Sequence, residues 1–163
     1  MFDQIALLDF LEQNGLSYEL LQHREVFTAE EASHLKEILP GAHVKNLFLC
    51  SKLSLFLVVV LDHDRLDLNG LRKILVVNKL SFAEPSLLKK HLGVKPGSVT
   101  PFGLINDKER LVRLIIDEKV MEFDSLNFHP MRNDQTINIG REDFLKFIDI
   151  IDHIPQVLTL PKR

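Results

Sequence analysis

Apolar positions change their spacing along the chain, and each change marks a structural element. From Asp3 to Asn14, Ile5, Leu8 and Leu11 fall on one helical stripe, and Gly15 follows where a left-handed cap suits glycine. That stretch predicts a helix. Ser17 to His23 predicts a short strand, and Thr28-Ala29-Glu30-Glu31 matches a capping box opening a helix that runs toward Leu39 before Pro40-Gly41 stops it. Val44 to Cys50 and Leu53 to Asp62 are dense in Val, Leu and Phe and flank Ser51-Lys52, which predicts adjacent antiparallel strands deep in a sheet. Helical spacing returns from Asp67 to Leu75 and from Pro85 to Leu92, the second with proline in its first turn and Gly93 past its end. Leu111 to Asp117 and Thr136 to Ile139 predict further strands, and Glu142 to Ile151 carries Phe144, Leu145, Phe147 and Ile148 as a last amphipathic helix. The sum is a mixed α+β fold. Its least regular stretch, Gly93 to Asp107, is the first place to look for a site, because loops on rigid elements concentrate binding groups.

Composition narrows the class. With 163 residues, 45% of them hydrophobic and 26% charged, the chain suits one globular domain spanning residues 1–163, and it contains no repeat or linker that marks a boundary. The longest apolar run, Leu53 to Leu61 apart from Ser54, is far short of the roughly 20 residues a membrane-spanning helix needs. The first residues, Met1-Phe2-Asp3-Gln4, lack a secretory pattern, so the expectation is a cytoplasmic protein without membrane contact. One cysteine, Cys50, excludes an internal disulfide and a cysteine-rich zinc site, and its apolar segment gives it a packing role by default. A net charge of −3 argues against binding nucleic acid by global electrostatics; any RNA contact is local. Lys89, Lys90, His91 and Lys95 form a modest basic cluster that a solvated helix face explains equally well.

Familiar catalytic signatures are missing: no phosphate-cradling glycine loop, dinucleotide fingerprint, nucleophile elbow or His-Glu-x-x-His. Asp62-His63-Asp64 is the closest grouping of potential metal ligands, at a spacing more typical of a polar turn, so neither a metal nor a cofactor is expected. Three segments remain. In Gly41 to Phe48, Lys45 and Asn46 enter an apolar strand just after a turn, facing either a cleft or solvent. Gly93 to Gly103 combines glycine with proline and is either a loop offering backbone N–H groups to an oxyanion or an ordinary connector. Asn127-Phe128-His129-Pro130, followed by Asn133 and Thr136, places a histidine that either positions substrate and moves protons or completes a local hydrogen-bond network.

In order along the chain, Val26-Phe27-Thr28-Ala29-Glu30-Glu31-Ala32, Val44-Lys45-Asn46-Leu47-Phe48-Leu49, Leu80-Ser81-Phe82-Ala83, Gly93 to Leu104 and Asn127-Phe128-His129-Pro130 resemble the YbaK/ProX family. These are freestanding relatives of the editing domain inserted in bacterial prolyl-tRNA synthetases. Lys-Asn-Leu-Phe, the Gly-Ser-Val-Thr-Pro-Phe-Gly-Leu loop and Asn-Phe-His-Pro look most like the branch that deacylates alanyl-tRNA carrying the proline anticodon. The resemblance implies a mixed, largely antiparallel sheet flanked by helices. It also implies a catalytic set of Lys45, Asn46, Gly97, Ser98 and His129, with Phe27, Thr28, Val44, Val99, Thr100 and Pro101 around the substrate. The aminoacylated 3′ end of tRNA is the implied partner, with prolyl-tRNA synthetase a second, and the oligomeric state is left open. Lys45 would meet phosphate or ribose, and backbone groups around Gly97 and Ser98 would polarise the ester carbonyl. Consecutive residues on a regular strand point to opposite faces, so Lys45 and Asn46 share a pocket only if the strand is irregular there.

Overall fold

The computed structural model describes residues 1–25 and 29–163, with residues 29–32 described by their backbone alone. Phe27 and Thr28, expected as substrate contacts, and the proposed capping role of Thr28 lie outside the described residues. The elements follow in the order α1 (Gln4–Gln13), β1 (Tyr18–Gln22), α2 (Ala29–Ile38), β2 (Ala42–Cys50), β3 (Leu55–Leu61), α3 (Leu68–Leu75), β4 (Ser81–Phe82) and α4 (Pro85–Leu92). After a 3-10 turn over Pro101–Asn106 come β5 (Val112–Asp117), β6 (Ser125–Phe128), β7 (Gln135–Gly140), α5 (Arg141–Ile150) and β8 (Gln156–Leu158). They build one sheet in the order β1-β7-β6-β2-β3-β5-β8, with β4 also against β2. Four pairings are antiparallel and three parallel, giving the expected mixed sheet flanked by helices.

Polar side chains fix where the helices begin. Asp3 accepts from the Ala6 N–H and Asp67 from the Gly70 N–H, each satisfying a backbone donor that the first helical turn leaves unpaired. At the other end of α4, Gly93 takes the left-handed conformation that stops the helix. Alternation along β3 then sorts the core. Leu57, Val59 and Leu61 face a large cluster with α1, α4 and α5, whereas Phe56, Val58 and Val60 face a smaller one beneath α3. Leu7 and Leu11 of α1 are fully buried, which stabilises by about 1.5–3 kcal/mol per side chain. Ile5, expected on that stripe, is 69% exposed; the buried stripe turns through Leu7 and Leu11 instead.

The second strand is the hub. β3 occupies one of its edges from Val44 to Cys50, so β6 and β4 share the other. β6 pairs in parallel only at Ala42 and His43, and β4 only at Leu49 and Cys50. Among the described residues no strand pairs with Val44 to Leu47 on that edge, and the sheet is open there. Gly41 makes the β6 approach possible: its φ is +91°, and a Cβ would strike the Ser125 backbone. Asn127 then clamps the junction, donating to the Pro40 and Ala42 carbonyls at 2.8 and 3.0 Å.

Three strands escaped sequence pattern. Ser81–Phe82 is two residues long, Gln156–Leu158 is a mostly exposed edge, and Ser125–Phe128 presents polar Asn127 and so reads as a polar run. Leu53, expected in a strand, is 93% exposed in the turn before β3. Leu145 is at the rim of α5, while Phe144, Phe147 and Ile148 carry its packing. Cys50 is half-buried, its Sγ 3.8 Å from the Ser81 hydroxyl.

Candidate active site

The open edge of β2 sits between two cavities, and alternation along the strand assigns its side chains to them. Val44 packs with the large cluster and Leu47 with the small one, so Asn46 follows Val44 and Lys45 follows Leu47. Val44 and Asn46 line a small cavity of about 90 Å³ together with His129 and Thr136. Lys45 and Leu47 line a larger one of about 420 Å³ with Arg65, Leu66 and Phe82. The two residues expected to act together therefore serve neighbouring sites.

His129 follows β6, and its Nδ1 lies 2.9 Å from the Gln135 carbonyl oxygen. A carbonyl only accepts, so the proton resides on Nδ1 and the lone pair on Nε2. Burial pushes the pKa of His129 below the usual histidine value, outweighing the bond to Gln135, and the nearby His23 pushes the same way. The ring is thus neutral, with one nitrogen available as an acceptor. Asn46 has a complementary feature. Its Nδ2 donates to the Val99 carbonyl at 3.1 Å, which fixes the amide's orientation, and its Oδ1 is buried without a hydrogen-bond partner among the described residues.

His23 was not singled out by sequence. It lies just past β1, whose register against β7 brings its Nε2 to 2.8 Å from the Thr136 hydroxyl and its ring centroid to 6.4 Å from that of His129. Its Nδ1 faces the Arg24 carbonyl, which can only accept, so Nδ1 is the donor of that contact and Nε2 is left beside the Thr136 hydroxyl. Only the long-range pairing of β1 with β7 creates this contact; no local spacing signals it.

The Gly97 to Pro101 loop is bonded to Asn46, one of the residues lining this cavity. Gly97 has φ +90°, a conformation natural to glycine, and the Val99 carbonyl anchors Asn46. Thr100 is fully buried and its hydroxyl accepts from the Phe102 N–H, capping the 3-10 turn in which buried Pro101 takes the first position. These two residues are structural. The Ser98 N–H donates to the Lys95 carbonyl at 3.0 Å, so it is not a free oxyanion donor; Gly97 is the residue of this pair left to offer one.

Other polar groupings are committed elsewhere. His63 lies 3.5 and 3.6 Å from the carboxylates of Asp62 and Asp64, but Asp62 is also bound by Lys36 at 2.7 Å. Among the described residues no group of three or more His, Cys, Asp or Glu is arranged to hold a metal ion. Lys89, Lys90 and Lys95 are exposed on and after α4.

Residues 23–147 match the family described as aminoacyl-tRNA editing domain. The chain is 37% identical to the bovine prolyl-tRNA synthetase associated domain-containing protein 1, with 97% of this chain and 95% of that one covered. It is 32% identical to the prolyl-tRNA editing protein ProX of Acetoanaerobium sticklandii, over 88% of each. In fold it is similar to a solved structure of a proposed trans-editing enzyme for prolyl tRNA synthetase, with a TM-score of 0.73 at 17% identity over 100% of this chain and 99% of that one.

Proposed function

The chain belongs to the aminoacyl-tRNA editing domain family, and from that premise we propose that it is a trans-editing deacylase hydrolysing alanyl-tRNA that bears the proline anticodon. One observation carries the reading. One small cavity is lined by Asn46, whose buried Oδ1 has no hydrogen-bond partner among the described residues, and by His129, whose Nε2 carries no proton. An aminoacylated ribose supplies donors of the right kind in its α-ammonium group and its vicinal hydroxyl. A buried acceptor left unmade costs about 1–3 kcal/mol, so a substrate that satisfies it gains that much over one that does not.

The chemistry asks little of the protein. An aminoacyl ester is activated, so positioning the ester, a water and an oxyanion site lowers the barrier without a covalent intermediate. Water attacks the carbonyl carbon, and the unprotonated Nε2 of His129 takes the proton released while the vicinal ribose hydroxyl helps to orient the water. The acyl carbon–oxygen bond then breaks, and the departing ribose oxygen receives that proton. The Gly97 N–H is the candidate donor to the transient oxyanion. A cavity of about 90 Å³ favours a methyl-sized side chain and disfavours the cognate prolyl ring.

The names of the relatives support the tRNA class, and the prolyl-tRNA synthetase itself is the partner this reading implies. The test is a panel of aminoacyl-tRNAs incubated with the protein while loss of each ester is followed. Alanyl-tRNA with the proline anticodon is expected to be cleared while prolyl-tRNA survives. Faster clearance of cysteinyl, seryl or threonyl esters would reassign the substrate. Hydrolysis of none above the buffer rate would leave a non-catalytic tRNA or synthetase adaptor.

A further inference from the structure

The larger cavity is built for something the hydrolytic cavity does not need. Three cationic residues line it, Lys45, Arg65 and Arg163, against one carboxylate, Asp67, in a protein whose net charge is −3. That carboxylate is occupied capping α3 through the Gly70 N–H at 3.1 Å. Its apolar floor comes from Leu47, Leu66 and Leu68, and Phe82 of β4 stands at the wall with 61% of its surface exposed.

The backbones that carry two of the cations are joined by the fold. Lys162 is pinned by a 2.7 Å ion pair to the buried carboxylate of Asp117 and bridges to Leu66, and the Arg163 N–H donates to the Arg65 carbonyl at 2.8 Å. Arg163 and Arg65 are therefore brought to one rim by backbone bonding. An exposed aromatic beside clustered cations is the combination that binds single-stranded nucleic acid, because phosphates meet the cations while a base of any identity stacks on the ring. At about 420 Å³ the cavity falls within the roughly 300–1,000 Å³ of small-ligand pockets. It adjoins the hydrolytic cavity through consecutive residues, Lys45 on one side and Asn46 on the other.

We infer that this cavity docks the single-stranded 3′ end of the tRNA, with Arg65 and Arg163 joining Lys45 on its phosphates and Phe82 stacking on a base. The inference rests on the editing reading for the identity of the RNA but uses different residues and a different cavity. A chain crossing the open edge of β2 would lay its phosphates in the cationic cavity and its terminal ester in the small one.

The test measures binding apart from hydrolysis. A 5′-labelled short RNA ending in CCA is titrated by fluorescence anisotropy against wild type, Arg65→Gln, Arg163→Gln and Phe82→Ala over a range of salt. Lys119→Gln, an exposed site of equal charge change that lines neither cavity, is the control. Each arginine variant should weaken binding about fivefold or more and flatten the logarithmic salt slope by about 0.7 for each phosphate no longer neutralised. Phe82→Ala should weaken binding by about fivefold or more with an unchanged slope. The control should stay within about twofold, as a surface substitution does. Arginine or Phe82 variants that bind like the control overturn the inference, as does wild type that takes up inorganic phosphate but not the RNA. Deacylation of alanyl-tRNA by the same proteins separates the two proposals. Arginine-dependent RNA binding with no ester hydrolysis preserves this site and removes the hydrolase, whereas hydrolysis with KM unchanged in every variant does the reverse.

Discussion

His129 and His153 are both substantially buried and both bonded to oxygen, yet they belong to regions of opposite kind. His153 lies where the chain leaves α5, its side chain 4% exposed, with Nε2 3.0 Å from the Asp107 carboxylate and Nδ1 3.3 Å from the Ile151 carbonyl. Asp107 in turn accepts from the Leu111 and Val112 N–H groups at 3.1 and 2.8 Å, so the pair ties the end of α5 to the start of β5. Burial pushes the Asp107 carboxyl up, but the hydrogen bonds from His153 and the two amides outweigh it and hold its pKa below the usual carboxylate value. Every polar atom there has a protein partner. In the cleft beside β2, by contrast, His129 spends one nitrogen on Gln135, and neither its other nitrogen nor Asn46 Oδ1 has a hydrogen-bond partner among the described residues. A buried histidine is thus a candidate for chemistry according to what its surroundings leave unsatisfied, not according to its burial.

Exchanging the roles of the two histidines by mutation is the severest test of that contrast. His129→Ala should cut single-turnover deacylation by about 10²- to 10⁴-fold, the range of general acid–base catalysis, with a thermal midpoint close to wild type. His153→Ala should do the opposite, costing about 3–5 kcal/mol of stability by leaving the buried Asp107 carboxylate without its side-chain partner while sparing the rate per folded molecule. Denaturant unfolding and active-site-normalised rates on both variants decide it. A folded His129→Ala with normal activity, or a stable His153→Ala without activity, breaks the comparison.

Asn46 and Lys45 sharpen it, since they sit side by side on β2 but face different cavities. Asn46→Ala removes the unpartnered acceptor and the anchor to Val99, and should lower the deacylation rate at saturating tRNA by about tenfold or more. Lys45→Ala should lower kcat/KM by about ten- to a hundredfold, chiefly through KM, because the inferred docking puts the ammonium group it removes on the phosphate chain rather than on the reacting ester. Lys45→Arg should recover part of that loss. Equal effects of both alanine variants on the saturated rate would erase the distinction between the two cavities.

How much of this was legible beforehand follows from which interactions are local. The helices were visible because stripes and caps lie within a few residues: the apolar spacing of α3, and Pro85 and Gly93 around α4. β2 and β3 were visible as apolar runs. Ser125–Phe128 was not, since Asn127 is polar in order to clamp Pro40 and Ala42, 87 and 85 residues away. Lys45, Asn46 and His129 were identified as residues, but their division between two cavities depends on the open edge left between β6 and β4, which no spacing encodes. Arg163 and His23 reach their sites only through β8-side tail packing and β1–β7 register. Thr100 and Pro101 stood out in the loop, where they brace rather than line.

The finest test concerns His23, which touches the chemistry only through the charge state of its neighbour. Its ring centroid is 6.4 Å from that of His129, and a charge on His23 disfavours a second one there, lowering the His129 pKa beyond what burial alone does. In the proposed mechanism the active form of His129 is neutral, so the deacylation rate should hold level as pH falls from neutrality and decline only as pH passes below the usual histidine value of about 6.5. Folding stability has the same sign: with the folded pKa depressed, the unfolded chain binds the proton more readily, and stability attributable to His129 is full above the unfolded value and drains away as pH falls below it. Replacing His23 by glutamine keeps an acceptor within reach of the Thr136 hydroxyl but removes the charge that lowers the His129 pKa. The acid limb of the rate profile should then move to higher pH by a fraction of a unit, with the plateau rate nearly unchanged. Single-turnover rates across the acid range, where spontaneous ester hydrolysis is slow, would resolve such a displacement. A limb that stays in place, or moves to lower pH, would mean that His23 does not act on His129 through charge and that its bond to Thr136 is a packing contact of the kind His153 makes with Asp107.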